Sequence, residues 1–234
     1  MSEVQRAGLQ ALYPFLADDG TPAGSPAERH EVLAALTESV ARKATEIVDL
    51  RREMVESCGD QLAACAQAIA TAAGRGGRLF TFGNGGSSCD AQQVATIFLH
   101  PARGWPVPAI SLTNDIALVT ALSNDVGFDL VFARQLAALA KAGDVAFGLS
   151  ASGGSANVVR AFGEARRLGM LTVGLAGYDG GAMATAGLVD FLFVVPSSSI
   201  HRIQEVQTTL YHLLWELTQR QLVASESEVG GCTS

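Results

Sequence analysis

The sequence has no excess of basic residues: 16 Lys and Arg stand against 23 Asp and Glu, a net charge of −7. Without a basic stripe it has nothing to follow a nucleic-acid backbone, and an anionic membrane surface repels it. It also lacks an uninterrupted apolar run of the roughly 18 residues that a membrane-spanning helix needs. The first residues, MSEVQRAGLQALYPFLADDG, carry Glu3 and show no basic segment followed by a long apolar one, so a secretory leader is not expected. Cysteine is sparse and scattered. Cys58, Cys65, Cys89 and Cys232 form no CxxC pair, which argues against both a zinc framework and a disulfide scaffold. Reduced thiols and a cytoplasmic location are the expectation.

What is present fits one globular domain, because 234 residues with 48% hydrophobic content can bury a single substantial core. The stretch ADDGTPAGSP, rich in Gly, Pro and small polar residues, sets off a leading segment. The expected organisation is a partly mobile extension over 1–27, a domain over 28–222 and a tail over 223–234. From Glu28 to Val55 the apolar positions Val32, Leu33, Leu36, Val40, Ala44, Ile47, Val48 and Leu50 recur at helical spacing. A second helix is expected over 57–74, with Ser57 as its N-cap and Gly74 as its stop. The apolar positions of the first helix exceed what one packing contact needs, which points to self-association.

Five short apolar runs follow, at 79–82, 109–112, 145–149, 171–175 and 191–195, each separated from the next by a stretch long enough for a helix. That alternation predicts right-handed βαβ crossovers and an α/β fold with a parallel sheet covered on both faces. The last amphipathic stretch, 201–222, reads as a closing helix carrying Ile203, Val206, Leu210, Leu213, Leu214 and Leu217 on one face.

Two strand-to-helix turns echo each other. Phe80 to Ser88 reads FTFGNGGSS, and Phe147 to Ser155 reads FGLSASGGS. In an open parallel sheet both lie at the carboxyl ends of their strands, where ligands bind. Glycine lets the backbone approach an anion, while Ser150, Ser152 and Ser155 add hydroxyl donors beside a helix N-terminus, so a phosphate cradle is expected at the second turn above all. A Gly/Ser cluster alone is as often an ordinary turn; the pair favours a ligand. Dinucleotide binding fits poorly, since Ser88 stands where the third glycine would be and Asp115 comes too late to hold a ribose. No G-K-[ST] follows the first turn, which excludes a P-loop. On the closing helix Gln204, Thr208 and His212 form a polar row at four-residue intervals, with His201, Arg202 and Glu205 at its start.

The segments GNGGSSCDAQ (83–92), PAISLTND (108–115), SNDVGF (123–128), GDVAFGLSASGGSANVV (143–159), GLAGYDGG (174–181) and RIQE (202–205) together resemble the sugar isomerase (SIS) family, and within it the phosphoheptose isomerases. The resemblance implies a single SIS domain with a flavodoxin-like five-stranded parallel sheet flanked by helices. It also implies N-terminal helices used in assembly, a homotetramer as the oligomer, and sedoheptulose 7-phosphate as the sugar phosphate. It places phosphosugar contacts on Asn84, Gly85, Ser87, Asp115, Ser150, Ala151, Ser152, Ser155 and Gln204, and the proton-transfer role on His212.

Two departures matter as much. Where the family has a metal-binding histidine and, four residues later, a general base, this chain has Gln93 and Ile97; His201 replaces the aspartate before RIQ. Isoleucine cannot accept a proton. With Gln204 and His212 as the only survivors of a four-ligand set, no bound zinc and no other cofactor are expected. His100 and Glu205 are the candidates for a substitute base. The functional expectation is a sugar-phosphate-binding protein of the isomerase type; the alternative is a non-catalytic regulatory or adaptor protein, like the family's relatives that associate with a replication initiator. A purely structural oligomer would leave the paired turns without a purpose.

Overall fold

Alternation of side chains across each strand builds the domain around one sheet. In the computed structural model, which describes residues 26–230 in backbone and 30–224 in side chain, the strands are β1 (Leu79–Gly83), β2 (Ala109–Ser111), β3 (Val145–Ser150), β4 (Leu171–Gly177) and β5 (Phe191–Val195). All four pairings are parallel, in the order β2-β1-β3-β4-β5. This is the flavodoxin-like order, whose direction of winding reverses between β1 and β3.

The helices between the strands are α2 (Gly86–Leu99), α3 (Ile116–Asp125), α4 (Val131–Leu139), α5 (Ala156–Arg167) and the short α6 (Gly181–Thr185); α1 (Pro26–Gly74) precedes the sheet and α7 (Ile200–Gly230) closes it. On one face Leu79, Val145, Phe147, Leu149, Val173 and Leu175 pack with residues of α1, α2 and α7, among them Ile69, Phe98 and Leu210. On the other, Phe80, Phe82, Ala146 and Ala176 pack with residues of α4 and α5, among them Phe132 and Phe162. Leu79 and Phe80 thus belong to opposite cores, as do Val145 and Ala146, which is the period-2 pattern of a strand buried on both sides. Asp144, fully buried, ties the amino ends of β1 and β3 together by accepting hydrogen bonds from the Arg78 N–H and guanidinium and from the Lys141 N–H.

The chain divides into two compact units, meeting in sequence between Glu46 and Ile47; residues 26–46 belong to the first and the whole sheet to the second. Residues 1–25 of the expected extension over 1–27 and the last four residues of the expected tail lie outside the described residues. The two expected N-terminal helices meet at a kink at Cys58, whose φ of −127° and ψ of 15° are not helical. Ser57 is not the N-cap expected of it: its hydroxyl turns back to the Met54 carbonyl at 3.3 Å, so it serves the turn before the break rather than the helix after it. Among the described residues no helix is long and apolar enough to cross a membrane.

Candidate functional site

At the carboxyl ends of β1 and β3, on either side of the winding reversal, the two echoed turns line a cleft of about 270 Å³. Its lining includes Asn84, Ser87, Ser150, Ala151, Ser152, Ser155 and Gln204, seven of the ten residues singled out from the sequence, together with Gly86, Tyr178 and Ile200. None of these is charged. The electrostatic provision for an anion comes instead from the helices: α2 begins at Gly86 and α5 at Ala156, so both present free N–H groups and the positive ends of their dipoles here.

The first turn is shaped by glycine. Gly85, at φ 55° and ψ −123°, occupies backbone space open essentially to glycine alone, and turns β1 into α2. Gly86 lies so close to the Gln204 amide that any Cβ there would overlap its nitrogen, which brings the closing helix against the turn. The Asn84 side chain pairs with that of Asn157, in the first turn of α5, by two reciprocal hydrogen bonds of 2.8 and 2.9 Å. Asn157, only 2% exposed, therefore ties the first glycine-rich turn to the helix that follows the second.

In the second turn the buried Ser150 hydroxyl lies 3.0 Å from Ser155 Oγ and 3.5 Å from Ser152 Oγ. Ser155 is the N-cap of α5, yet its side chain caps no N–H of its own helix. Three hydroxyls thus converge beside amide donors at one helix start, an arrangement suited to the several oxygens of one phosphate.

A larger hollow of about 520 Å³ lies at the other end of the strands, between Ala72, Arg75, Lys141 and Gly169. It borders the carboxyl ends of α1 and α5, where the helix dipole disfavours an anion, and it holds no serine turn.

The remaining predicted residues sit outside the cleft lining. Gly85 is exposed at the turn. Asp115 is exposed and caps α3, accepting the Leu118 N–H at 3.0 Å. His212 stands eight residues beyond Gln204, about 12 Å along the helix axis. Its Nδ1 lies 2.8 Å from the Thr208 carbonyl, which can only accept, so Nδ1 carries the proton and Nε2 of the neutral ring is left free to take one. The polar row is internally bonded, because the Thr208 hydroxyl in turn donates to the Gln204 carbonyl at 2.9 Å.

The sequence and the fold agree with known proteins. Residues 44–177 match the model of the SIS domain. Over 177 residues the chain is 42% identical to the phosphoheptose isomerase of Roseiflexus sp. (strain RS-1), covering 75% of this chain and 89% of that one. With the enzyme of that name from Aquifex aeolicus (strain VF5) it shares 39% over 189 residues, 80% of this chain and 98% of the other. The solved phosphoheptose isomerase of Neisseria gonorrhoeae superposes with a TM-score of 0.73 at 36% identity, over 78% of this chain and 98% of that structure. This chain belongs to the SIS-domain family, in its phosphoheptose isomerase group.

Within that group the substituted positions are informative. Ile97 is half-buried and packs against the core shared by α1, α2 and α7. Gln93, one turn earlier on α2, is exposed. Of the four positions that the family resemblance assigns to a metal, Gln93, Ile97, Gln204 and His212, the side chains present offer one imidazole, two neutral amides and an aliphatic group, with no thiolate or carboxylate, and that chemistry does not fit zinc. Among the described residues no group of three or more His, Cys, Asp and Glu is placed to hold a metal ion.

Neither substitute base reaches the cleft. His100 closes α2 at its far end, about 20 Å along the axis from the helix start. Glu205 is exposed and held by Arg202, 2.6 Å away. A carboxylate that the sequence reading passed over does sit between α2 and α7: Asp90, one turn beyond Ser87, accepts a long hydrogen bond of 3.5 Å from the buried Tyr211 hydroxyl. Burial pushes the Asp90 carboxyl above its ordinary value, against the opposing effect of the Tyr211 bond, and burial likewise raises the Tyr211 phenol. The Tyr211 ring stacks on that of His212 with centroids 4.8 Å apart. Asn157, Tyr178 and Ile200 also escaped the sequence reading.

Proposed function

We propose that this protein binds a sugar phosphate such as sedoheptulose 7-phosphate, with the phosphate in the cleft between the β1 and β3 turns and the sugar directed along α2 and α7 toward His212. The observation that carries this reading is the convergence of Ser150, Ser152 and Ser155 at the start of α5. Names of relatives at about 40% identity supply the reaction: ketose–aldose isomerisation of a phosphoheptose. In it a proton leaves C1 of the ketose as the C1–C2 double bond of an enediol forms, and a proton is delivered to C2 as the C1 carbonyl forms. His212, with Nε2 free, suits the movement of the accompanying proton between the two oxygens.

The carbon-bound proton needs an acceptor, and Ile97 provides none. That favours a second reading, in which the chain binds the sugar phosphate without turning it over, as a regulatory or adaptor protein. Both readings work without zinc, since the donor set does not suit it. Both also work in an oligomer, a tetramer by analogy with the group. The exposed apolar side chains Val32, Leu33, Leu36 and Val40 along the first part of α1 support assembly. The free thiols of Cys58, Cys65 and Cys89 suit a reducing cytoplasm.

The deciding experiment is isomerisation of sedoheptulose 7-phosphate by the purified protein, metal-free and metal-supplemented, beside calorimetric titration of the same compound. Turnover supports the isomerase reading, and binding without turnover the second. Failure to bind overturns both. Sedimentation of the protein with Leu36→Glu and Val40→Glu tests the assembly: a fall in mass is expected.

A further inference from the structure

We infer that Tyr178 is the specificity-determining residue of the cleft: its ring is a wall for the carbon chain of the phosphorylated sugar, so that the site takes a sugar phosphate in preference to free phosphate. This rests on the reading that the cleft binds a phosphosugar.

The cleft lining has hydroxyls and amides enough for a phosphate but little with which to grip a sugar. Of its described residues Tyr178 is the sole aromatic one, and with Ile200 it supplies the large apolar surface. Both side chains are open to solvent, at 40% and 51% exposure, and the Tyr178 ring belongs to neither core. Its hydroxyl makes no hydrogen bond to any described residue. Burial does not explain an aromatic side chain so placed. A flat ring at the mouth of a polar cleft suits the C–H face of a sugar, whose hydroxyls remain free to meet Asn84, Ser87 or Gln204.

The backbone places the ring there against its own preference. Tyr178 is the sole non-glycine residue among the described ones with positive φ, 53°. It occupies the first central position of the turn closed by the Gly180 N–H to the Gly177 carbonyl at 2.9 Å, a place that Gly, Asn or Asp fills without strain. Strained side chains persist where the surroundings hold them, and here the surroundings are the phosphate turn itself. Gly153 approaches the Gly180 carbonyl, and Gly181 the Ser152 carbonyl, more closely than any Cβ would permit. The Met183 N–H donates to the Gly153 carbonyl at 2.9 Å. The turn carrying Tyr178 is therefore docked on the turn carrying the serines, which fixes the ring relative to a bound phosphate.

The test titrates sedoheptulose 7-phosphate and inorganic phosphate separately into the full chain and into Tyr178→Ala, Tyr178→Gly and Tyr178→Phe. Loss of the ring in the Ala and Gly variants is expected to weaken the sugar phosphate about tenfold, the scale of one well-placed aromatic contact. Inorganic phosphate should bind within about twofold of the unaltered chain, and Tyr178→Phe should keep full affinity for both. Thermal stability of Tyr178→Gly should be at least that of the unaltered chain, because glycine relieves the positive φ. An equal loss for both ligands would show that the residue merely shapes the turn, and no loss for either would show that it is a bystander; each overturns the inference. So does a Tyr178→Phe variant as weak as Tyr178→Ala. An unaltered chain that binds phosphate and the sugar phosphate equally overturns the inference while leaving a phosphate cleft, whereas one that binds neither overturns the functional reading with it.

Discussion

Asn84 and Asn157, 73 residues apart in sequence, face each other amide to amide, each donating to and accepting from the other. Through this pair the turn after β1 and the helix after β3 hold a fixed spacing across the point where the sheet reverses its winding. Removing one partner leaves the other with an unmet amide, and Asn157 is buried. Asn157→Ala and Asn84→Ala should each destabilise the domain by about 1–3 kcal/mol. The double variant should lose less than the sum, because the second truncation removes a group already orphaned. Urea unfolding of the three variants checks this, and strictly additive losses would count against the pairing. Titration of sedoheptulose 7-phosphate should show weaker binding in each.

The close approach of Gly86 to Gln204 gives a prediction of a different kind. In Gly86→Ala the new methyl must displace the Gln204 amide, at a cost of about 1–3 kcal/mol typical of overpacking. Gln204→Ala alone should be mild in stability, since the amide lies at a cleft. Combining the two should restore much of the stability lost in Gly86→Ala, while sugar-phosphate binding stays impaired because the amide is gone. Thermal melts and calorimetry on the same four proteins separate the two effects.

How far the sequence anticipates this site depends on the range of the interactions involved. Strands show themselves locally, since runs such as LFTFG and VAFGLS are buried on both faces and bounded by glycine turns. So do the cradle serines, which lie within six residues of one another. The Asn84–Asn157 pair was hidden because neither residue is unusual in its own turn; only the fold brings them together. Asp90 carries no local signal, because its partner Tyr211 lies 121 residues further on and only the fold lays α7 over it. Tyr178 sits in a YDGG segment that announces a turn, but not that the tyrosine takes the left-handed position. Ser57 shows the converse error: a residue suited to capping can spend its hydroxyl on the preceding turn.

Asp90 sets a pH dependence. Its carboxyl is raised, chiefly by burial, so the folded protein holds that proton more tightly than the unfolded chain does. The stability it contributes is present below the ordinary carboxylate range and is lost as pH rises through the raised value. Asp90→Asn, which stays neutral, escapes that loss. Relative to the unaltered protein the variant should therefore be more favourable at pH 7 than at about pH 3.5, where both carry a neutral group. Urea midpoints of both proteins across this range decide the matter. A difference that does not change with pH would mean that Asp90 titrates normally.

The sharpest test of whether this is an enzyme lacking one part is to supply the part. Gln93 and Ile97 lie four residues apart on α2, so histidine at the first and glutamate at the second would face the same side of the helix as the residues they replace. Gln93 is exposed and tolerates the change. Ile97 is half-buried against the core, so Ile97→Glu should cost about 1–3 kcal/mol. If His212 and the phosphate cleft are otherwise competent, the double variant supplied with zinc should isomerise sedoheptulose 7-phosphate faster than the unaltered chain by about 10²–10⁴-fold, the usual contribution of one positioned acid–base group. Gln93→His alone should gain nothing, because it adds no proton acceptor at the sugar carbon. If the double variant folds and binds the sugar phosphate yet stays inert, the loss lies deeper than these two positions, and the protein is a binder whose catalytic geometry has been replaced as a whole.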